Sequence, residues 1–235
     1  MEKKDILDAI KQLKKDSPKR NFSQSYDFLV KLQNFDPKKN ENKIDVFVTL
    51  PYSLGRKQTV CGLVGGTLYN DAKASCDHTI GQEDFKAMAG NAKELKKLAR
   101  KYDFFIAQAD IMGPIATTFG RYLGPKGRMP NPKAGAIVPP KGSIKPIVEK
   151  LQRTVRLSIK NNEMAVRCPI GKDIMGDEEI AENILTAYTY LVQALPQHEQ
   201  NVKAVLLKLT MSKPVVLGGK KWTSQKHMWM KLRKR

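Results

Sequence analysis

The sequence predicts a two-domain α+β protein. A split antiparallel-sheet α/β sandwich is built from both termini, and a three-layer α/β domain is inserted between its halves. Three observations carry this. Strands near both ends alternate apolar and polar residues, as half-buried antiparallel strands do. Strands in the middle are continuous apolar runs separated by helical stretches, as in a parallel sheet covered on both faces. The texture changes near residues 58 and 154, so the expected domains are 1–58 with 154–235, and 59–153.

Residues 3–14 place Ile6, Leu7, Ile10 and Leu13 at helical spacing, and Asp16-Ser17-Pro18 ends that helix. A strand over 22–32 puts Phe28, Val30 and Leu32 on one face, and a second strand covers 44–50. The segment Pro51 to Lys57 reads as a connector and Arg153-Thr154 as its return, so the two crossings would act as a hinge. In the insert, apolar strands at 59–64 and 104–107 alternate with helices near 82–89, 91–101 and 143–152, which makes this domain Rossmann-like. The alternating texture then returns at 155–159 and 164–166. A helix over 177–195 follows, with acidic residues at its start, and 202–210 forms the last strong strand.

Composition points to the partner. Lys and Arg number 42 against 23 Asp and Glu, a net charge of +19 on 235 residues. Such a field favours polyanions. The start, MEKKDILDAI, lacks the apolar run of a secretory signal, and no stretch of about 18 apolar residues occurs. Three scattered cysteines, Cys61, Cys76 and Cys168, argue against a disulfide framework and for a reducing cytoplasm. Neither a membrane nor a small-molecule substrate is expected.

Catalytic signatures are thin. No P-loop, G-x-S-x-G or H-E-x-x-H motif occurs. Cys76 and His78 stand at metal-ligand spacing, but nothing nearby completes a set. Gly65-Gly66 after a strand lacks dinucleotide spacing. An enzyme, a metal and a cofactor are therefore not expected.

Basic groups offer more. Lys19, Arg20, Asn21, Phe22 and Ser23 put cations, an amide, a ring and a hydroxyl at a loop-to-strand junction, suited to phosphates, bases and 2′-hydroxyls. Phe22 is equally readable as core. Lys38-Lys39 is a basic turn. The loop LGPKGRMPNPK carries Lys126, Arg128 and Lys133, and reads either as a phosphate-facing loop or as a rigid structural one. The tail 220–235, basic with Trp222 and Trp229, suits RNA, a membrane surface or disorder, and RNA is favoured by the charge elsewhere.

Three stretches, RNFSQSYDFLVKLQNFDPKKNENKIDVFVTLP at 20–51, DFFIAQADIMGPIATTFGRYLGPKGRMPNPK at 103–133 and NVKAVLLKLTM at 201–211, resemble the universal large-subunit ribosomal protein L-one family. The compact LGPKGRMP form resembles its archaeal members, and the resemblance spans about 3–217. It implies a ribosomal, non-enzymatic protein that binds large-subunit rRNA through the terminal-built domain. The insert would be the mobile outer part of a stalk that helps deacylated tRNA leave the exit site. Binding of its own mRNA as a translational repressor is also implied. The implied RNA-binding residues are Lys19, Arg20, Phe22, Ser23, Ser25, Lys38, Lys39, Lys172, Lys203, Thr210, Met211 and Ser212, with Lys126, Arg128 and Lys133 as a tRNA or rRNA loop. The family usually has glycine at Ser212 and serine at Ala204, which puts the detailed hydrogen-bond pattern in question. The rivals are a free regulatory RNA-binding protein and a nucleotide-using enzyme built on Gly65-Gly66.

Overall fold

The structure is a computed structural model. It describes residues 2–18, 20–34, 36, 44–140, 142–159 and 163–217, with Lys86 described by its backbone only. The chain packs into two compact units, one from Met1–Asp45 with Leu157–Arg235, the other from Val46–Arg156. The second begins upstream of the change in texture at 59 because Phe47 packs against its core.

In the first unit, helix α1 (Lys3–Asp16) buries Ile6, Ala9, Ile10 and Leu13 along one stripe. Strand β1 (Ser25–Leu32) alternates strictly, burying Tyr26, Phe28, Val30 and Leu32. Sequence order continues with β8 (Ala165–Lys172), α7 (Asp177–Ala194), β9 (Val202–Leu209) and β10 (Val215–Leu217). The sheet order is β10-β9-β1-β8, and every pairing is antiparallel. Thus β1, from the start of the chain, lies between two strands from its end. Helices α1 and α7 pack together over one face, and Lys14 bonds Asp177 between them. Among the described residues the other face stays open, over a groove of about 900 Å³ whose lining includes Asp27, Leu29, Lys31, Arg167, Lys208 and Val216. Burial foremost holds the Asp27 carboxyl above the ordinary carboxylate range, opposed by Lys208 at 3.8 Å.

In the second unit, parallel strands β3 (Val60–Val64), β4 (His78–Gly81), β5 (Phe104–Gln108) and β6 (Ile137–Val138) take the order β4-β3-β5-β6. One core cluster joins Leu63, Phe105 and Ile80 to α3 (Asp84–Ala89), α4 (Ala92–Lys101) and α5 (Met112–Leu123). A second joins Val60, Val64 and Ile106 to α2 (Tyr69–Ser75) and α6 (Lys145–Gln152). All five residues of β3 are buried, which explains its unbroken apolar run. The remaining strands, β2 (Asp45–Thr49) and β7 (Thr154–Ser158), form a two-stranded sheet, and the division between units falls within them.

Candidate nucleic-acid interface

Three segments meet at the end of the first unit's sheet where β1 begins and β8 and β9 finish. Register places Ser25 opposite Lys172 and Tyr26 opposite Leu209. Gln24 is the joint. It is only 5% exposed; its carbonyl accepts from Asp173 N at 2.9 Å, and its side-chain Oε1 accepts from Met211 N at 3.2 Å. Burying this amide is tolerable because its oxygens are matched.

The hydroxyls hold the joint in shape. Thr210 Oγ1 accepts from Ser25 N at 3.2 Å and donates to Ser25 O at 3.3 Å. Ser23 Oγ donates to the Asp173 carboxylate at 2.8 Å. Ser212 Oγ accepts from Leu209 N at 2.8 Å and has Leu209 O at 3.3 Å as an acceptor. The serine at this glycine-type position therefore folds back on its own turn. Thr210 and Ser212 each keep one lone pair, able to accept from a ribose 2′-hydroxyl.

Around this joint stand exposed apolar groups: Phe22 is 52% exposed, Met211 62% and Ile174 77%. Arg20 is exposed and Lys172 half-buried beside them. Phe22 is thus a surface ring and not core. Tyr26, at the start of β1, has a buried hydroxyl without a hydrogen-bond partner among the described residues. Burial foremost, then the charges of Asp177 and Asp173, push its pKa up to about 12, so it stays a neutral phenol.

The structure brings Arg20, Phe22, Ser23, Ser25, Lys172, Thr210, Met211 and Ser212 together. It sets Lys203 apart, near the opposite end of β9, about 23 Å away at about 3.3 Å per residue. Lys19, Lys38, Lys39 and the tail 220–235 lie outside the described residues. Sequence reasoning missed Gln24, Asp173 and Ile174. For the last a signal existed, since Ile174-Met175 is an apolar pair inside the polar turn GKDIMGDE.

In the second unit the loop cations have separate fates. Arg128 Nη1 donates to the carbonyls of Ala99 at 3.1 Å, Arg100 at 3.2 Å and Tyr102 at 2.6 Å. It thereby caps the C-terminus of α4, where carbonyls lack partners within the helix. Lys126 and Lys133 are exposed. Gly127 sits at φ +63°, and an added Cβ would come within 1.8 Å of Arg156 Nη1; Arg156 in turn donates to Gly127 O. His78 stacks on Tyr102 at 5.7 Å. Among the described residues, no three His, Cys, Asp or Glu side chains converge on a cation site.

A family model described as the Ribosomal protein L1p/L10e family matches residues 13–213. The chain belongs to this family. It is 38% identical over 215 residues to the "Large ribosomal subunit protein uL1" of Pyrococcus abyssi, covering 91% of this chain and 95% of that one. The protein of the same name from Thermococcus kodakarensis is 37% identical over 211 residues, covering 89% and 95% respectively. That of Methanobrevibacter smithii is 37% identical over 213 residues, covering 90% and 97%. These relatives are archaeal, as the LGPKGRMP form suggested. Membership in L1p/L10e makes the chain a structural ribosomal protein rather than an enzyme. The nucleotide-enzyme reading falls with it, and the Gly65 amide it relied on is already bonded to Gln108 Oε1 at 2.9 Å.

Proposed function

We propose that this L1p/L10e protein grips large-subunit rRNA at the three-segment joint centred on Gln24 and forms the mobile stalk of the large subunit. The observation that carries the reading is the convergence of exposed Phe22, Ile174 and Met211 with Arg20 and Lys172 around one buried amide. Rings and apolar groups pack on bases and sugars, cations neutralise phosphates, and the fixed hydroxyls set the shape. The proposed contacts are Arg20, Phe22, Ser23, Ser25, Lys172, Thr210, Met211 and Ser212. Lys19, Lys38 and Lys39, which lie outside the described residues, and Lys203, farther along β9, are further proposed phosphate contacts. The split sheet, 1–58 with 154–235, is the gripping domain. The Rossmann-like insert, 59–153, is the moving one, and it swings about Pro51 to Lys57 and Arg153-Thr154 to assist deacylated tRNA release, with Lys126 and Lys133 available to RNA.

The test is binding to the stalk-base rRNA fragment against a scrambled hairpin of equal length, across a salt series. A preference of roughly a thousandfold or more at physiological salt supports shape recognition. Equal binding that fades together with salt reduces the interaction to net charge. Autogenous repression is a linked proposal: the 5′ region of the chain's own transcript should compete with rRNA, and absence of competition at every ratio removes it. Sedimentation with large subunits separates the ribosomal reading from that of a free regulator, which would stay at the top of the gradient.

A further inference from the structure

The second unit carries a cationic surface that the sheet-end joint does not use. On α4, Lys93, Lys96, Lys97 and Arg100 are exposed, while Leu95 and Ala99 are buried. At about 100° per residue the four cations share an arc of about 100°, turned away from the core. They make like-charge pairs at i,i+4 (Lys93 with Lys97, Lys96 with Arg100) and at i,i+3 (Lys93 with Lys96, Lys97 with Arg100), an arrangement that weakens a helix on its own. Glu94 is the only acid on α4. None of the four cations has an ion pair among the described residues.

Arg128 brings a fifth cation, Lys126, to this surface. By bonding the carbonyls of Ala99, Arg100 and Tyr102 it docks its loop on the end of α4. That docking sets Lys126 beside Arg100. Desolvation first, then the Arg100 and Arg128 charges, hold the Lys126 ammonium below its ordinary value. No large exposed apolar side chain lies on α4 or this loop among the described residues. The surface is therefore cationic without an apolar anchor, unlike the sheet-end joint. Such a surface suits phosphates and cannot read bases.

We propose that Lys93, Lys96, Lys97, Arg100 and Lys126 form a second RNA surface, which grips phosphodiester backbone independently of the sheet-end joint. Crowded charge that weakens the empty helix is relieved when a polyanion occupies it.

The test uses the full-length protein saturated with the stalk-base rRNA fragment and a labelled RNA duplex of unrelated sequence. The wild type should hold the duplex with a steep salt dependence. The variant combining Lys96→Gln, Lys97→Gln, Arg100→Gln and Lys126→Gln should lose roughly three to four units of log–log salt slope, at about 0.9 per phosphate contact. It should also bind at least about tenfold more weakly at low salt, and melt no lower than the wild type. The charge-conserving set, Lys96→Arg, Lys97→Arg, Arg100→Lys and Lys126→Arg, should keep the slope. Equal slopes in neutralised and wild-type proteins overturn the proposal, as does a saturated wild type that ignores the duplex. Poly-glutamate binding as tightly as the duplex overturns the assignment to RNA. Failure of the wild type to bind the rRNA fragment counts against the sheet-end joint alone; the duplex titration of the two variants is then run without the fragment and decides the second surface.

Discussion

Phe22 shows what one side chain decides. Alternation alone puts it in phase with buried Tyr26 and Phe28, so spacing could not separate a core ring from a contact ring. Strand β1 starts only at Ser25, and the phase does not extend back through the preceding turn. Phe22→Ala should therefore leave stability within about 0.5 kcal/mol, as surface changes do. It should weaken rRNA binding by ~1–3 kcal/mol, the scale of a lost base stack. Thermal melting and a binding titration on the same variant check both. A stability loss of about 3 kcal/mol or more would return Phe22 to the core. Arg128 behaves oppositely. Its charge looked available in the sequence because carbonyl acceptors leave no trace there. Arg128→Met keeps the methylenes and removes the cap, and should cost about 1–3 kcal/mol of stability. The salt slope of rRNA binding should not move; a fall by one unit would make Arg128 a phosphate contact instead.

At the scale of elements, the long periodic segments were legible and the short or proline-bearing ones were not. Helices α1, α4, α6 and α7 and strands β1, β3, β5 and β9 lie within a few residues of where periodicity puts them. The alternating texture marks β8 only at 164–166, whereas the strand runs on through Pro169 to Lys172. The sheet order makes β8 an edge, where a missing donor is harmless. Helix α5 escaped notice because Gly113 and Pro114 open it. Both fall in its first turn, where proline removes no intrahelical bond. Strands β4, β6 and β10 are too short to carry a pattern.

One pair of strand starts gives a pH prediction. Asp77 accepts from Lys57 Nζ at 2.7 Å and from Val60 N at 3.0 Å, and its own amide donates to Val60 O at 3.1 Å, fastening the start of β3 to the approach of β4. The bond from Lys57 foremost holds the Asp77 carboxyl below the usual carboxylate range, against partial desolvation. A depressed carboxylate stabilises the fold above its unfolded value of about 3.9. That contribution is lost as pH falls through the lower folded value. Melting temperature should thus fall less steeply below about pH 4 in Asp77→Asn than in the wild type. Parallel profiles would deny Asp77 this part.

For the whole molecule, the two textures in the sequence mark two cores, because antiparallel and parallel sheets hide different fractions of each strand. What stayed hidden was the joint at Gln24. Its partners come from positions 173 and 211, and no local pattern announces a bond across that much chain. The second unit's core clusters draw only on residues between Phe47 and Leu151, so the first unit has its own interior. Joining Asp45 to Leu157 through a short Gly/Ser linker should give a folded protein that keeps rRNA affinity within about tenfold, or ~1.4 kcal/mol. Circular dichroism and the rRNA titration check this. A folded product that binds as weakly as a scrambled hairpin would assign the grip to the removed segment.

The placement of β1 between β8 and β9 also sets an order of events during synthesis. Residues 46–156 form one continuous stretch and can finish packing while the polypeptide is still growing. Strand β1 emerges early but must wait for β8 and β9, which follow more than half the chain later. Its pairings are long-range and slow to close. The segment at 20–25 meets the one at 210–212 only at the end. A chain that ended early would therefore carry a finished second unit and no sheet-end joint. On the proposed reading the sheet-end grip belongs to completed copies alone, whereas the α4 surface is already present on a partial chain.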